Sequence, residues 1–362
     1  MKKPPINNHH RPKWVNTEYN SWVGTQNAIT TLKDLKCHLQ SAIQVELSTI
    51  PPYLCALYSI KEGTNTFAAF IIRSVVVEEM LHMILAANIL NAIGGKPEIN
   101  TSEAVPTYPD FLFHTNKKVK LELLPFSKNA LEGFLKIEKP AKTNEPPENG
   151  HYHSIGQFYE AIMNGLINVS AKQKIFTGNP DRQVRPEHYY GAGGKLIAIE
   201  NIDDACRAIS EIMGQGEGID GDIFDGSDGA FDQSKEVAHY FRFNEILQGR
   251  YYKAGDTSKT PPMGAELLVD WDEVYKMEPN PKMENYKNYP ELYDLALDFN
   301  KTYMGLLDAI NHACNGFPKD IEKSIPLMYK LKEQAVDLIR VPIKGTGFSA
   351  GPSFEYVKDR WK

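Results

Sequence analysis

Residues 74–97 read SVVVEEMLHMILAANILNAIGGKP, and their spacing decides the fold. With Ile72 ahead of them, Val75, Ala86, Ile89 and Ile93 recur at steps of three and four or their multiples, which puts them on one face of a helix. Glu79 and His82 fall on that same face, one turn apart. Gly94 and Gly95 followed by Pro97 stop the helix, since glycine takes the left-handed cap and proline cannot continue the ladder. The stretch therefore predicts a helix over 67–93 that turns a carboxylate and an imidazole toward its own core.

The preceding segment repeats the pattern. Over 31–60 the core face runs Leu32, Leu35, Leu39 and Ala42, and its next occupant is Glu46. The polar KEGTNT between the two segments is short enough to make them an antiparallel hairpin. A second hairpin is expected from helices at about 203–217 and 234–248. In the latter, Glu236, His239, Phe243 and Ile246 share a face and Arg242 and Glu245 fall opposite. Between the hairpins lies a crossover of roughly a hundred residues. It holds alternating segments that read as strands (KVKLELL, FLKIEKP), a Pro-rich loop, a helix at 155–168 and a further strand-like run, GGKLIAIEN. Beyond 250 come an extended segment and helices near 290–314 and 319–339. The expected organisation is an arm at 1–30, a helical metal-binding unit at 31–250 with its crossover insertion at 95–200, and a helical C-terminal extension and tail at 251–362. The fold class is mainly α, a four-helix bundle with additional C-terminal helices.

A carboxylate left alone in an apolar seam costs several kcal/mol, so it needs a proton, a cation or a metal. Glu46, Glu79, His82, Glu236 and His239 converging in one bundle are best explained by metal ions, and Glu-x-x-His lets one helix serve a pair of ions. A dinuclear bundle site takes one further Glu from the third helix, where Glu211 and Glu217 stand. On a helical projection Glu211 points away from Ile202, Ala205, Ile209, Ile212 and Met213. Glu217 lies nearer their edge and is preferred. A lone seam histidine reads as a hydrogen-bonded core residue; it is the two imidazoles, each beside a carboxylate, that point to metal. Glu148-Asn-Gly-His151 has the same spacing in a loop without a helix and is set aside as a chance copy. Glu78 reads as an outward acid or a support to a ligand, with ligation of metal as the alternative. Arg73, Arg242, Tyr53, Tyr58 and Tyr240 read as packing or surface residues with the alternative of orienting ligands.

Composition excludes several other classes. Forty Lys and Arg against 46 Asp and Glu give a net charge of −6, which argues against a nucleic-acid binder. No run reaches the roughly 18 apolar residues of a membrane span, and the N-terminus lacks the apolar run of a signal peptide. Cys37, Cys55, Cys206 and Cys314 show no metal or redox spacing. They read as small buried hydrophobes in a reducing, cytoplasmic setting. The acidic loop EGIDGDIFDGSDGAFD at 217–232 misses the register of a calcium loop and reads as solvated. Neither a phosphate-binding glycine loop nor a nucleophile elbow is present.

HLQSAIQVELSTIPPYLCALYSI at 38–60, the 74–97 stretch, QGEG at 215–218, HYFRFNEI at 239–246 and the late GPSFEY together resemble the ferritin-like domain of the iminophenyl-pyruvate dimer synthase family, the oxidative-dimerisation enzymes of violacein- and rebeccamycin-type pigment pathways. The resemblance covers about 31–250. It implies a ferritin-like bundle with Glu46, Glu79, His82, Glu217, Glu236 and His239 at the metal positions, and it supports Glu217 over Glu211. The expected function is that of a non-haem, metal-dependent oxidase or oxygenase of secondary metabolism. Two iron ions are expected, with manganese or another transition metal as the alternative. Its partners would be dioxygen and a small amino-acid-derived molecule, aromatic in the family's named examples, with Tyr53, Tyr58, His188, Tyr189 and Tyr190 as candidate pocket lining. A homo-oligomer is compatible with the sequence. The competing expectation is a non-catalytic ferritin-like protein for metal binding, storage or protection.

Overall fold

The structure is a computed structural model that describes residues 29–113, 115, 118–140, 152–189, 191, 193–217, 223–224 and 236–358. Eight α-helices are described: α1 (Leu32–Ser59), α2 (Thr66–Ala92), α3 (Lys128–Ile137), α4 (Ile155–Ser170), α5 (Ile202–Glu217), α6 (His239–Gln248), α7 (Pro290–Ala313) and α8 (Ser324–Ile339). The strand content among the described residues is one two-stranded antiparallel ribbon, β1 (Asp110–Phe111) with β2 (Lys120–Leu121). The mainly helical architecture expected from the spacing is the one observed, and no described helix is long and apolar enough to cross a membrane.

The α1–α2 hairpin is the frame. Thr31 caps α1 by accepting from the Asp34 amide, which satisfies one of the open N–H groups of the first turn. Pro51 and Pro52 lie inside α1 and each withdraws a ladder donor. The Ser48 carbonyl, which Pro52 cannot reach with an N–H, instead accepts from the Tyr108 hydroxyl at 2.8 Å. α2 ends as its sequence dictates: Gly94 has a φ of +73°, and the Gly95 amide reaches back to the Leu90 carbonyl. With the Gly94 amide on the Asn91 carbonyl, two bonds close the last turn in the left-handed cap that favours glycine.

α4 and α5 pack on one side of the hairpin, and α3 and α6 pack together on another. The crossover thus contributes two helices to the layers around the hairpin. α7 and α8 pack on each other and extend the same continuous apolar core, which runs from Ile29 to Phe354.

Two local expectations are corrected. FLKIEKP is not a strand: Phe134–Ile137 form the last turn of α3, which Ser127 caps by accepting from the Ala130 amide. Ala130, Leu131, Phe134 and Ile137 are its buried positions, an amphipathic helical stripe. KVKLELL and GGKLIAIEN likewise contribute little or no sheet, β2 being two residues long. The second correction concerns α6, which begins at His239 rather than near 234. Residues 236–238 are extended instead: Val237 bridges to Phe224, and the Ala238 amide donates to the Ile223 carbonyl. Ile223, Val237, Ala238 and Phe241 bury one another in a small satellite cluster, which holds that extended conformation against helix continuation. Of the cysteines, Cys55 and Cys314 are buried as expected, while Cys37 is exposed.

Candidate metal centre

Five side chains meet in the interior. Glu46 comes from α1, Glu79 and His82 from α2, Glu138 from the C-cap of α3 and His239 from the first position of α6. They form two triads, Glu46–Glu79–His82 and Glu79–Glu138–His239, whose ligand atoms lie within 4.8 Å of one another in each. Glu79 belongs to both. All five are buried, and they line a cavity of about 20 Å³ closed by Ile155, Gly156, Tyr159, Ile212, Met213 and Gly216. That is room for one or two water-sized species.

The two triads have the same composition at their inner edges, an imidazole with its own carboxylate and the shared Glu79. The rings of His82 and His239 stack at 5.5 Å between centroids, 23° from parallel. His82 Nδ1 faces Glu46 Oε2 at 3.7 Å, and His239 Nδ1 faces Glu138 Oε2 at 3.6 Å and Glu79 Oε1 at 2.9 Å. Each carboxylate keeps its other oxygen on a hydroxyl. Tyr159 donates to Glu46 Oε1 at 2.5 Å, Tyr53 donates to Glu138 Oε1, and Thr49 donates to Glu79 Oε2 at 2.9 Å. One oxygen of each carboxylate is thereby fixed and the other is turned inward.

At the outer edges the triads differ. His82 Nε2 meets Gln215 Oε1 at 2.7 Å, and the Gln215 amide nitrogen donates to the Gly193 carbonyl at 2.8 Å. The second contact orients the amide so that its oxygen faces the imidazole. His82 Nε2 must then carry the proton, which leaves the Nδ1 lone pair facing the cavity. His239 Nε2 instead meets Glu78 Oε2 at 2.8 Å. Glu78 is clamped by Arg242, whose Nη1 lies 2.8 Å from Glu78 Oε1 and also donates to Ser74. The guanidinium is held further by the Val237 carbonyl and by Glu236 Oε2 at 3.2 Å.

These environments set the charges. Burial pushes the Glu46 carboxyl up to about 7, against the lowering effect of its hydrogen bonds. Burial also raises Glu79 and Glu138, helped by repulsion from Glu46 and from Glu79 respectively. Burial lowers His82. For Glu78 burial is outweighed by Arg242 and His239, which hold it down at about 2. Burial likewise opposes charge on His239, but its contacts with Glu138, Glu78 and Glu79 raise it well above the usual histidine range. Carboxylates that burial drives toward protonation are a donor set in want of cations. His239 Nδ1 is buried and aimed at two carboxylates, yet makes no well-directed hydrogen bond. Both observations fit metal ions at the inner edge, and three carboxylates with two imidazoles suit iron or manganese.

Glu46, Glu79, His82 and His239 are therefore brought together as the spacing predicts. Glu236 is placed elsewhere: ahead of α6, its carboxylate pairs with Arg242 at the outer edge. The side chain of Glu217 lies outside the described residues, though its neighbour Gly216 lines the cavity. Glu211 does not line the cavity; it accepts from the Lys195 amide and, at 3.4 Å, from the Gln215 amide nitrogen, behind the support of His82. His151 and nearly all of the acidic 217–232 loop also fall outside the described residues. Arg242 and Glu245, expected on an outward face, are both buried. Among the expected lining residues, Tyr53 supports Glu138, while Tyr58, His188 and Tyr189 do not line the cavity and Tyr190 is outside the described residues. Glu138, Tyr159 and Gln215 were missed. Glu138 carried a readable signal, because it continues the stripe of Ala130, Leu131, Phe134 and Ile137 as Glu46 continues that of α1.

A bundle of helices that encloses two carboxylate–imidazole triads sharing one glutamate defines a class of candidate dinuclear metal proteins. Within it, the chain belongs to the Ferritin-like family, whose model matches residues 39–248. The crystal structure of a ferritin like protein from Caulobacter vibrioides has the same fold, with a TM-score of 0.60 and 24% identity over 90% of this chain and 99% of that one. No curated protein sequence matches the chain.

Proposed function

We propose that this chain is a non-haem, metal-dependent oxidoreductase that holds two ions, iron before manganese, and acts with dioxygen on a small molecule. The observation that supports it most is the sharing of Glu79 by two buried triads, each completed by its own carboxylate and its own imidazole. When bound, a redox-active ion pair supplies the electrons that dioxygen chemistry requires. The chain's own residues do the rest. Tyr159, Tyr53 and Thr49 each hold one carboxylate oxygen, so the other stays turned inward. Gln215 and Glu78 fix the ring orientation of His82 and His239. Ile155, Ile212 and Met213 form the apolar wall that limits water in the cavity. A dry, pre-ordered donor set strengthens every electrostatic interaction within it.

The resemblance of the helix-pair segments to the iminophenyl-pyruvate dimer synthase family supports an amino-acid-derived substrate, aromatic in that family's named examples. The cavity of about 20 Å³ favours a second reading, a non-catalytic metal-binding or protective protein, because it accommodates water-sized species rather than an aromatic molecule. One experiment separates them. Protein purified without chelators is assayed for bound metal, loaded anaerobically with ferrous iron and exposed to oxygen with candidate 2-imino and amino acids. The oxidoreductase reading expects about two ions per chain and oxygen uptake that scales with organic substrate. Uptake that scales with iron alone and leaves mineralised iron establishes the second reading.

A further inference from the structure

The inner edges of the two triads are built from the same groups, but the supports behind the imidazoles differ in kind. Behind His82 stands a neutral amide, Gln215, at 2.7 Å. Behind His239 stands Glu78 at 2.8 Å, an anion because Arg242 Nη1 lies 2.8 Å from its other oxygen. We propose that Glu78 and Gln215 are positioning residues that make the two metal positions unequal, so that the Glu79–Glu138–His239 position binds the first ion and the Glu46–Glu79–His82 position the second. This inference rests on the dinuclear reading above.

The argument is one of basicity. A hydrogen bond from Nε2–H to a carboxylate is charge-assisted and roughly twice as strong as one to a neutral acceptor. It moves electron density onto Nδ1, the nitrogen that faces the inner edge, and such outer partners typically change metal affinity by about 10- to 100-fold. Glu78 cannot relax away from this task. It is buried, Arg242 holds its second oxygen, and Arg242 is in turn held by Ser74, the Val237 carbonyl and Glu236. Gln215 is held too, through the Gly193 carbonyl at 2.8 Å and Glu211 Oε1 at 3.4 Å, so it orients its imidazole as firmly, but the acceptor it presents to His82 is a neutral amide oxygen. Both supports thus fix geometry, and only one adds electrostatic drive. Because Glu79 serves both positions, the first ion also draws on the shared carboxylate and leaves the second a weaker donor set.

The test is an anaerobic titration of the metal-free full chain with manganese(II) alone, following free ion by its magnetic-resonance signal. Two binding steps are expected, separated by at least about tenfold in Kd. Glu78→Gln should weaken the tight step by about 10- to 100-fold and spare the other. Gln215→Leu and His82→Ala should each weaken or remove the second step and leave the tight one in place. Circular dichroism of each metal-free variant checks folding, and if Glu78→Gln does not fold, survival of the tight step in the other two decides the matter. A single step of two equal ions in the unaltered chain overturns the inference while leaving the dinuclear reading intact. So does loss of the tight step in Gln215→Leu, or equal weakening of both steps by Glu78→Gln. Absence of any binding overturns the dinuclear reading together with this one.

Discussion

The two halves of the candidate centre do the same task with different architecture. Glu46, Glu79 and His82 project from the interiors of long helices, where spacing alone dictates direction. Glu138 and His239 sit at helix ends, one on the C-cap of α3 and the other at the first position of α6. A ligand inside a helix is aimed by the 3.6-residue repeat and by packing on both sides. A ligand at a helix end is aimed by where the helix stops, which caps and neighbouring chain decide. Substitutions that respect this division give effects of graded size.

The largest should come from the shared residue. Glu79→Ala removes a donor from both triads, and metal analysis is expected to find the two ions reduced to a trace, an affinity loss of about 100-fold or more. Retention of one tight ion would mean that the halves are independent. Next comes the helix-end ligand: Glu138→Ala should lower the stoichiometry from two to one, whereas Glu236→Ala should keep two, because the Glu236 carboxylate pairs with Arg242 at the outer edge. The reverse outcome would restore Glu236 to the inner edge.

Acidity offers a third comparison. Burial pushes the Glu46 carboxyl up to about 7 in the metal-free fold, against 4.5 for an unrestrained glutamate. Between those values the unfolded chain has lost the proton that the folded one keeps. Metal-free stability should therefore fall by about 3 kcal/mol as pH rises through that window, and level off above it. The loaded protein should show the opposite trend, losing metal as pH drops below 7, since ions and protons compete for the same oxygens. Denaturant titrations at pH 5 and pH 8, with and without metal, check both signs.

Smaller effects follow at the supports. Tyr159→Phe and Tyr53→Phe each remove one hydrogen bond to a ligand carboxylate and should each cost about 1.5–3 kcal/mol in the affinity of their own half, read as a shift in one binding step. The smallest lies outside the centre. Gly94→Ala puts a side chain at a φ of +73° and should cost about 1 kcal/mol in the melting equilibrium with two ions still bound.

The same division explains what the sequence made legible. The α1–α2 half could be read outright, because Leu35, Leu39, Ala42 and Glu46 need no knowledge beyond helical period. The other half depended on boundaries. Reading FLKIEKP as a strand hid Glu138, and starting α6 five residues early placed Glu236 where the chain is in fact extended. That extension is held by Ile223, Val237, Ala238 and Phe241 packing on one another, contacts between segments that no local propensity encodes. Gln215 and Tyr159 were invisible for a related reason. Their roles are contacts across helices, and a glutamine or tyrosine on a helix carries no sign of which imidazole or carboxylate it will meet.

The placement of Glu138 and His239 also bears on the order in which the centre comes into being. Thr49 and Glu79 are 30 residues apart, while Glu78 and His239 are 161 apart. Closing the longer loop costs about 1.5 kcal/mol more in chain entropy, and contacts of such long range are made late in folding. A nascent chain thus completes the Glu46–Glu79–His82 pocket as soon as its first hairpin closes. The second pocket waits for α6, which tethers the end of the bundle to its beginning. Metal captured there acts as a clasp on the finished topology, and chelation should speed unfolding from that end.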